Sequence, residues 1–70
     1  MVLNEIYKHQ DTWYQILRKT PTHSFEEQNG VINMEILKEW RDYLGGDHVL
    51  RVNNEFWICE TIQDAEIIEN

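Results

Sequence analysis

A chain of 70 residues with a single cysteine, Cys59, cannot be stapled to itself by a disulfide, and that limits its folds more than any other feature of the sequence. Domains of this size bury only about 60% of the surface that the unfolded chain exposes, and secreted ones compensate with several disulfides. The lone Cys59 leaves the apolar side chains to build the core unaided and points to a reducing, cytoplasmic setting. The supply is adequate: 41% of the residues are hydrophobic, with three Trp, three Tyr and two Phe, which acidic disordered tails lack. One domain spanning residues 1–70 is expected.

The opening residues, Met1-Val2-Leu3-Asn4-Glu5, carry no basic run ahead of an apolar stretch, and Val2 stands where myristoylation requires glycine. No apolar run reaches membrane-spanning length. Both features favour a soluble protein.

Residues 3–19 place Leu3, Ile6, Tyr7, Trp13, Ile16 and Leu17 at helical spacing, which predicts an amphipathic helix of about four to five turns. Arg18 and Lys19 suit its C-terminal dipole, and Pro21 stops it. Ser24-Phe25-Glu26-Glu27 matches a capping box and predicts a short helix ended by Asn29-Gly30. The alternative takes Asn29-Gly30 as a type I′ turn between residues 25–28 and 31–34. Asn33 then caps a second long helix over residues 34–44, burying Met34, Leu37, Trp40 and Leu44 with Ile36 and Tyr43 at its margins, and Gly45 ends it.

Residues 48–52 and 56–60 are rich in β-branched and aromatic side chains and predict an antiparallel hairpin. A two-residue Asn53-Asn54 turn mixes charged and apolar groups on both faces. A three-residue loop, Asn53-Asn54-Glu55, gathers Leu50, Val52, Phe56 and Ile58 on one face and leaves Val49, Arg51, Trp57 and Cys59 on the other; that register is the one expected. In residues 61–70 a second capping-box match, Thr61 to Asp64, predicts a short helix carrying Ile62, Ala65 and Ile68, with a strand through residues 66–69 as the alternative. The fold class expected is thus α+β: helix, short helix, helix, hairpin, and a short C-terminal helix or strand.

The net charge of −7 is unevenly spread. Residues 1–20 carry two acids against three bases, a net +1, whereas the remaining fifty carry eleven acids against Lys38, Arg41 and Arg51, a net −8. Such a balance repels phosphate backbones and anionic lipid and favours a partner with a basic surface. Glu35, Glu39 and Asp42 alternate with Lys38 and Arg41 along the second helix, the pattern of a solvated, self-paired face. After Arg51 the acids Glu55, Glu60, Asp64, Glu66 and Glu69 stand without any base, and a strip of this kind either solubilises the chain or docks into a basic groove.

In the expected hairpin register, Trp57 lies beside Val49 and Arg51 on a face that a two-layer domain leaves open, with Arg51 able to stack on the indole. Exposed Trp and Arg clusters are typical binding hot spots. Val49, Arg51, Glu55, Trp57, Glu60, Asp64 and Glu66 therefore form the candidate partner-binding set. The competing structural reading makes Trp57 ordinary core, and self-association through the hairpin into a homodimer is a third outcome.

Chemistry finds little footing. His9, His23, His48 and Cys59 lie too far apart for the short spacings of a zinc site, no glycine-rich phosphate loop is present, and in the expected register His48 and Cys59 point to opposite faces. Neither a cofactor nor catalysis is expected. The order of elements is similar to that of a winged-helix DNA-binding domain, in which the helix before the hairpin reads the major groove, but no residue motif accompanies the similarity. The acids on the would-be recognition helix disfavour direct DNA contact. The function expected is a non-enzymatic protein-interaction module, of the kind phages and mobile elements encode as small acidic inhibitors or adaptors of host nucleic-acid-handling proteins. The alternative is a winged-helix-like transcriptional regulator acting as a dimer.

Overall fold

A computed structural model describes residues 5–63 of the chain. Four antiparallel strands, β1 (Ile6–His9), β2 (Thr12–Pro21), β3 (His48–Val52) and β4 (Glu55–Ile62), form one sheet in the order β1-β2-β4-β3. The one α-helix among the described residues, α1 (Met34–Leu44), sits between β2 and β3 in the chain. Strand β4 is central, flanked by β2 and β3, and its run Phe56-Trp57-Ile58-Cys59 is apolar at four successive positions because both faces of the sheet are packed. Phe56 meets Phe25 and Leu37 on the helix side, with Ile32, Trp40 and Val49 around them. On the reverse side Cys59 meets Tyr14, Ile16 and Leu50, with Tyr7, Val52 and Trp57 packed against them.

The N-terminal helix expected over residues 3–19 is not there: residues 6–21 form the hairpin β1–β2. The side chains at helical spacing are also strong strand formers, and Tyr14 and Ile16, two apart, are the ones buried, at 7% exposure each. β4 has a second ladder edge that β3 cannot satisfy, and β2 pairs along it from Trp13 to Pro21. The turn between β1 and β2 is Gln10-Asp11 with φ of 49° and 65°, the left-handed pair that a type I′ turn demands. Without a helix there, the winged-helix order of elements fails as well.

Thr22–Phe25 is a short 3-10 turn, earlier than the capping box implies, and Ser24 caps nothing in it. Beyond it the chain doubles back: Glu26 bridges Ile32, the Glu27 amide bonds the Val31 carbonyl at 2.6 Å, and Asn29 and Gly30 both take positive φ. The tight turn at Asn29-Gly30, kept above as the alternative, is thus nearer the observed path. Helix α1 has the boundaries expected. The Asn33 side chain accepts from the Ile36 amide at 3.2 Å, and Gly45 at φ 80° lets its own and the Gly46 amide close on Asp42 and Arg41. Of the side chains expected to be buried, Leu37 is (3% exposed), Trp40 and Leu44 are half-buried, and Met34 is 64% exposed.

The hairpin register is one residue away from the expected one. The loop is the two-residue Asn53-Asn54, with Asn53 at φ 55°, and the pairs are Val52 with Glu55, Leu50 with Trp57 and His48 with Cys59. Leu50, Val52, Trp57 and Cys59 therefore share one face, and Val49, Arg51, Phe56 and Ile58 the other. The expectation assumed one apolar and one polar face, whereas this sheet buries apolar groups on both. Thr61 and Ile62 belong to β4, and the Thr61 amide and hydroxyl donate to the Asp47 carboxylate at 2.9 and 3.0 Å instead of capping a helix. The helix or strand expected in residues 64–70 lies outside the described residues.

Candidate interaction surfaces

The register divides the residues of the expected Trp57 cluster between the two faces of the sheet. Arg51 lies across the sheet from the indole, with its guanidinium 5.8 Å from the Phe56 ring centroid. Trp57 is half-buried: Tyr7 meets it edge-on at 5.1 Å, the Lys19 ammonium lies 4.2 Å from its centroid, and its indole N–H donates to Glu55 at 3.2 Å. Lys19 is held in turn by Glu5 at 2.6 Å. These contacts make Trp57 a tethered part of the reverse-face cluster. Glu55 is engaged there, Val49 packs toward the helix, and Glu60 is exposed on β4. Asp64 and Glu66 lie outside the described residues. The described members of the candidate set thus do not form one patch.

His48 and Cys59 stand opposite each other on one face, contrary to expectation. The His48 ring stacks on Tyr14 at 4.8 Å, and Cys59 is fully buried, with burial pushing its thiol from 9.0 up to about 11. A thiol so placed stays protonated at neutral pH. No group of three or more His, Cys, Asp or Glu among the described residues could hold a metal ion. Nor, among them, is any helix long and apolar enough to cross a membrane.

The surfaces that stand out flank α1, and a β-bulge creates the first of them. Ile16 pairs with Cys59 and Arg18 with Ile58, so the bulge at Leu17 reverses the alternation of β2 and turns Arg18 toward the helix. Its guanidinium stacks on Trp40 at 4.4 Å, and Arg18, Glu39, Trp40 and Tyr43 enclose an open hollow of about 330 Å³. Tyr43 is 88% exposed and Ile36 39%, and Glu35, Glu39 and Asp42 share the outer side of the helix with them. Sequence reasoning placed Ile36 and Tyr43 at the margin of the core. Their spacing from Glu39 marks a second helical stripe, which the buried stripe through Leu37 leaves to solvent.

The opposite flank of α1 faces β3 across a groove of about 320 Å³. Leu37, Val49 and Phe56 form its floor, and Lys38, Arg41 and Arg51 stand on its sides. Those three are the entire complement of bases in residues 21–70, brought together from two elements. The chain matches no protein-family model, no curated protein and no solved structure.

Proposed function

We propose that this chain is a non-enzymatic protein-interaction module that presents the outer face of α1 to a partner with a basic surface. The observation that carries the reading is Tyr43, 88% exposed at the lip of the Arg18–Trp40 hollow and accompanied by Glu35, Glu39 and Asp42. An exposed aromatic beside a concavity is the kind of side chain that anchors an interface, and a carboxylate rim steers a cationic partner toward it. The excess of acid, −7 over the chain, supports the finer reading of a small inhibitor or adaptor that engages a nucleic-acid-handling protein through the surface that protein offers to phosphates.

The test is capture from lysate of the source cell or its host on immobilised protein, eluted in rising salt, with two variants run beside it. Tyr43→Ala is expected to lose the captured partner at unchanged melting temperature. Amides at Glu35, Glu39 and Asp42 are expected to release it at lower salt. Capture that is the same for the wild type and both variants would remove this face from the proposal.

A further inference from the structure

We infer that the groove between α1 and β3 is a second, independent docking site, which takes an extended acidic peptide segment as an added strand beside β3. Three observations converge. Among the described residues β3 pairs only with β4, so its outer side is an open sheet edge. The two-residue turn makes Val52, Leu50 and His48 the residues whose backbones face β4, which leaves the N–H and C=O groups of Val49 and Arg51 pointing outward. Those same two residues direct their side chains toward α1, so a strand laid on this edge would also rest side chains on the floor of Leu37, Val49 and Phe56.

Charge selects the occupant. In a chain of net −7, this groove gathers Lys38, Arg41 and Arg51 against the single carboxylate of Asp47, which already accepts two bonds from Thr61. Neither Lys38 nor Arg51 forms an ion pair among the described residues. Arg41 spends only one nitrogen, Nη2, on its neighbour Asp42 at 3.3 Å, and its Nε is buried with no hydrogen-bond partner. A peptide carboxylate would pair with the Lys38 and Arg51 charges that the described residues leave without one. The apolar floor and the open strand edge fit a polypeptide better than a nucleic acid.

The test titrates the full chain into a fluorescein-labelled, acetylated and amidated octapeptide that alternates glutamate or aspartate with valine and threonine. The same peptide with lysine at every acidic position serves as control. The acidic peptide is expected to bind at least tenfold more tightly than the lysine peptide. Arg51→Glu and Lys38→Gln, both at exposed positions, are each expected to weaken it severalfold while the amide spectrum of the free protein stays folded. Hydrogen exchange supplies the geometric readout: the Val49 and Arg51 amides are expected to exchange fast in the free protein and slowly in the complex. Equal binding of the two peptides, or none at millimolar concentration, would overturn the inference. So would Val49 and Arg51 amides already protected before peptide is added, or preference for a DNA duplex over the peptide. None of these readouts depends on Tyr43, so the site stands or falls apart from the outer face of α1.

Discussion

Replacing Trp57 by alanine separates a binding residue from a structural one. The indole touches Tyr7, lies under the Lys19 ammonium and donates to Glu55, and it packs against the buried group of Tyr14, Ile16, Leu50 and Cys59. Truncating a buried Trp costs about 3–5 kcal/mol, and half-burial places this one near the low end, at about 3 kcal/mol. The edge-on Tyr7 contact and the cation–π contact are each worth roughly 0.5–1.5 kcal/mol and are contained in that figure, not added to it. For a domain of this size each kcal/mol moves the midpoint by about 4–8 °C, so the melting temperature is expected to fall by roughly 12–24 °C. Circular dichroism melts of Trp57→Ala and Tyr43→Ala at one protein concentration make the comparison, because Tyr43→Ala removes an almost wholly exposed ring and should shift the midpoint by less than about 4 °C. A Trp57→Ala midpoint within about 2 °C of wild type would refute the packing described here and restore Trp57 as a free surface residue.

Two further outcomes follow from buried groups. The Thr20 hydroxyl is buried with no hydrogen-bond partner, so Thr20→Val, which keeps the shape and removes the orphan, should leave stability unchanged or raise it by up to about 1 kcal/mol in urea denaturation; a loss above about 1 kcal/mol would mean that the hydroxyl is satisfied. Burial raises the Cys59 thiol from 9.0 to about 11, so folding holds a proton that the unfolded chain releases, and the associated stability is complete below about pH 9 and lost as pH rises toward 11. Wild type should therefore lose about 2 kcal/mol more than Cys59→Ala between pH 8 and about pH 10.5, and parallel losses would contradict the burial of the thiol.

The parts of the fold legible in the sequence are those fixed by local chemistry. Asn33 and Gly45 bound α1 because a side-chain acceptor and a left-handed glycine are needed within one turn of each helix end, whatever the helix packs against. The N-terminal hairpin was not legible for a converse reason. Its turn, Gln10-Asp11, lacks the asparagine or glycine that usually marks a left-handed pair, and its apolar residues satisfy a period of 3.6 as well as of 2. What decides between the two periods is the unpaired edge of β4, whose pairs with β2 lie 34 to 49 residues apart in the chain.

The site was less legible than the fold because it depends on single-residue steps. Taking the loop as Asn53-Asn54-Glu55 and not Asn53-Asn54 moves Arg51 from the α1 groove to the side of Trp57, and missing the bulge at Leu17 keeps Arg18 away from Trp40. Either slip reassigns a cation to the other face of the sheet, which decides what the surface can bind. Composition misleads in the same direction. A net charge of −7 describes an average, while α1 divides the surface it caps into a carboxylate side, with Glu35, Glu39 and Asp42, and a cationic side that holds Lys38, Arg41 and Arg51. A helix with Glu35 and Lys38, or Glu39 and Arg41, close in sequence reads as self-paired. Only Arg41–Asp42 closes among the described residues of α1, and Lys38, the helix's other cation, lines the groove beside β3. The separation of charge across one helix is the feature on which both proposed surfaces rest, the outer face of α1 for a basic partner and the β3 groove for an acidic peptide.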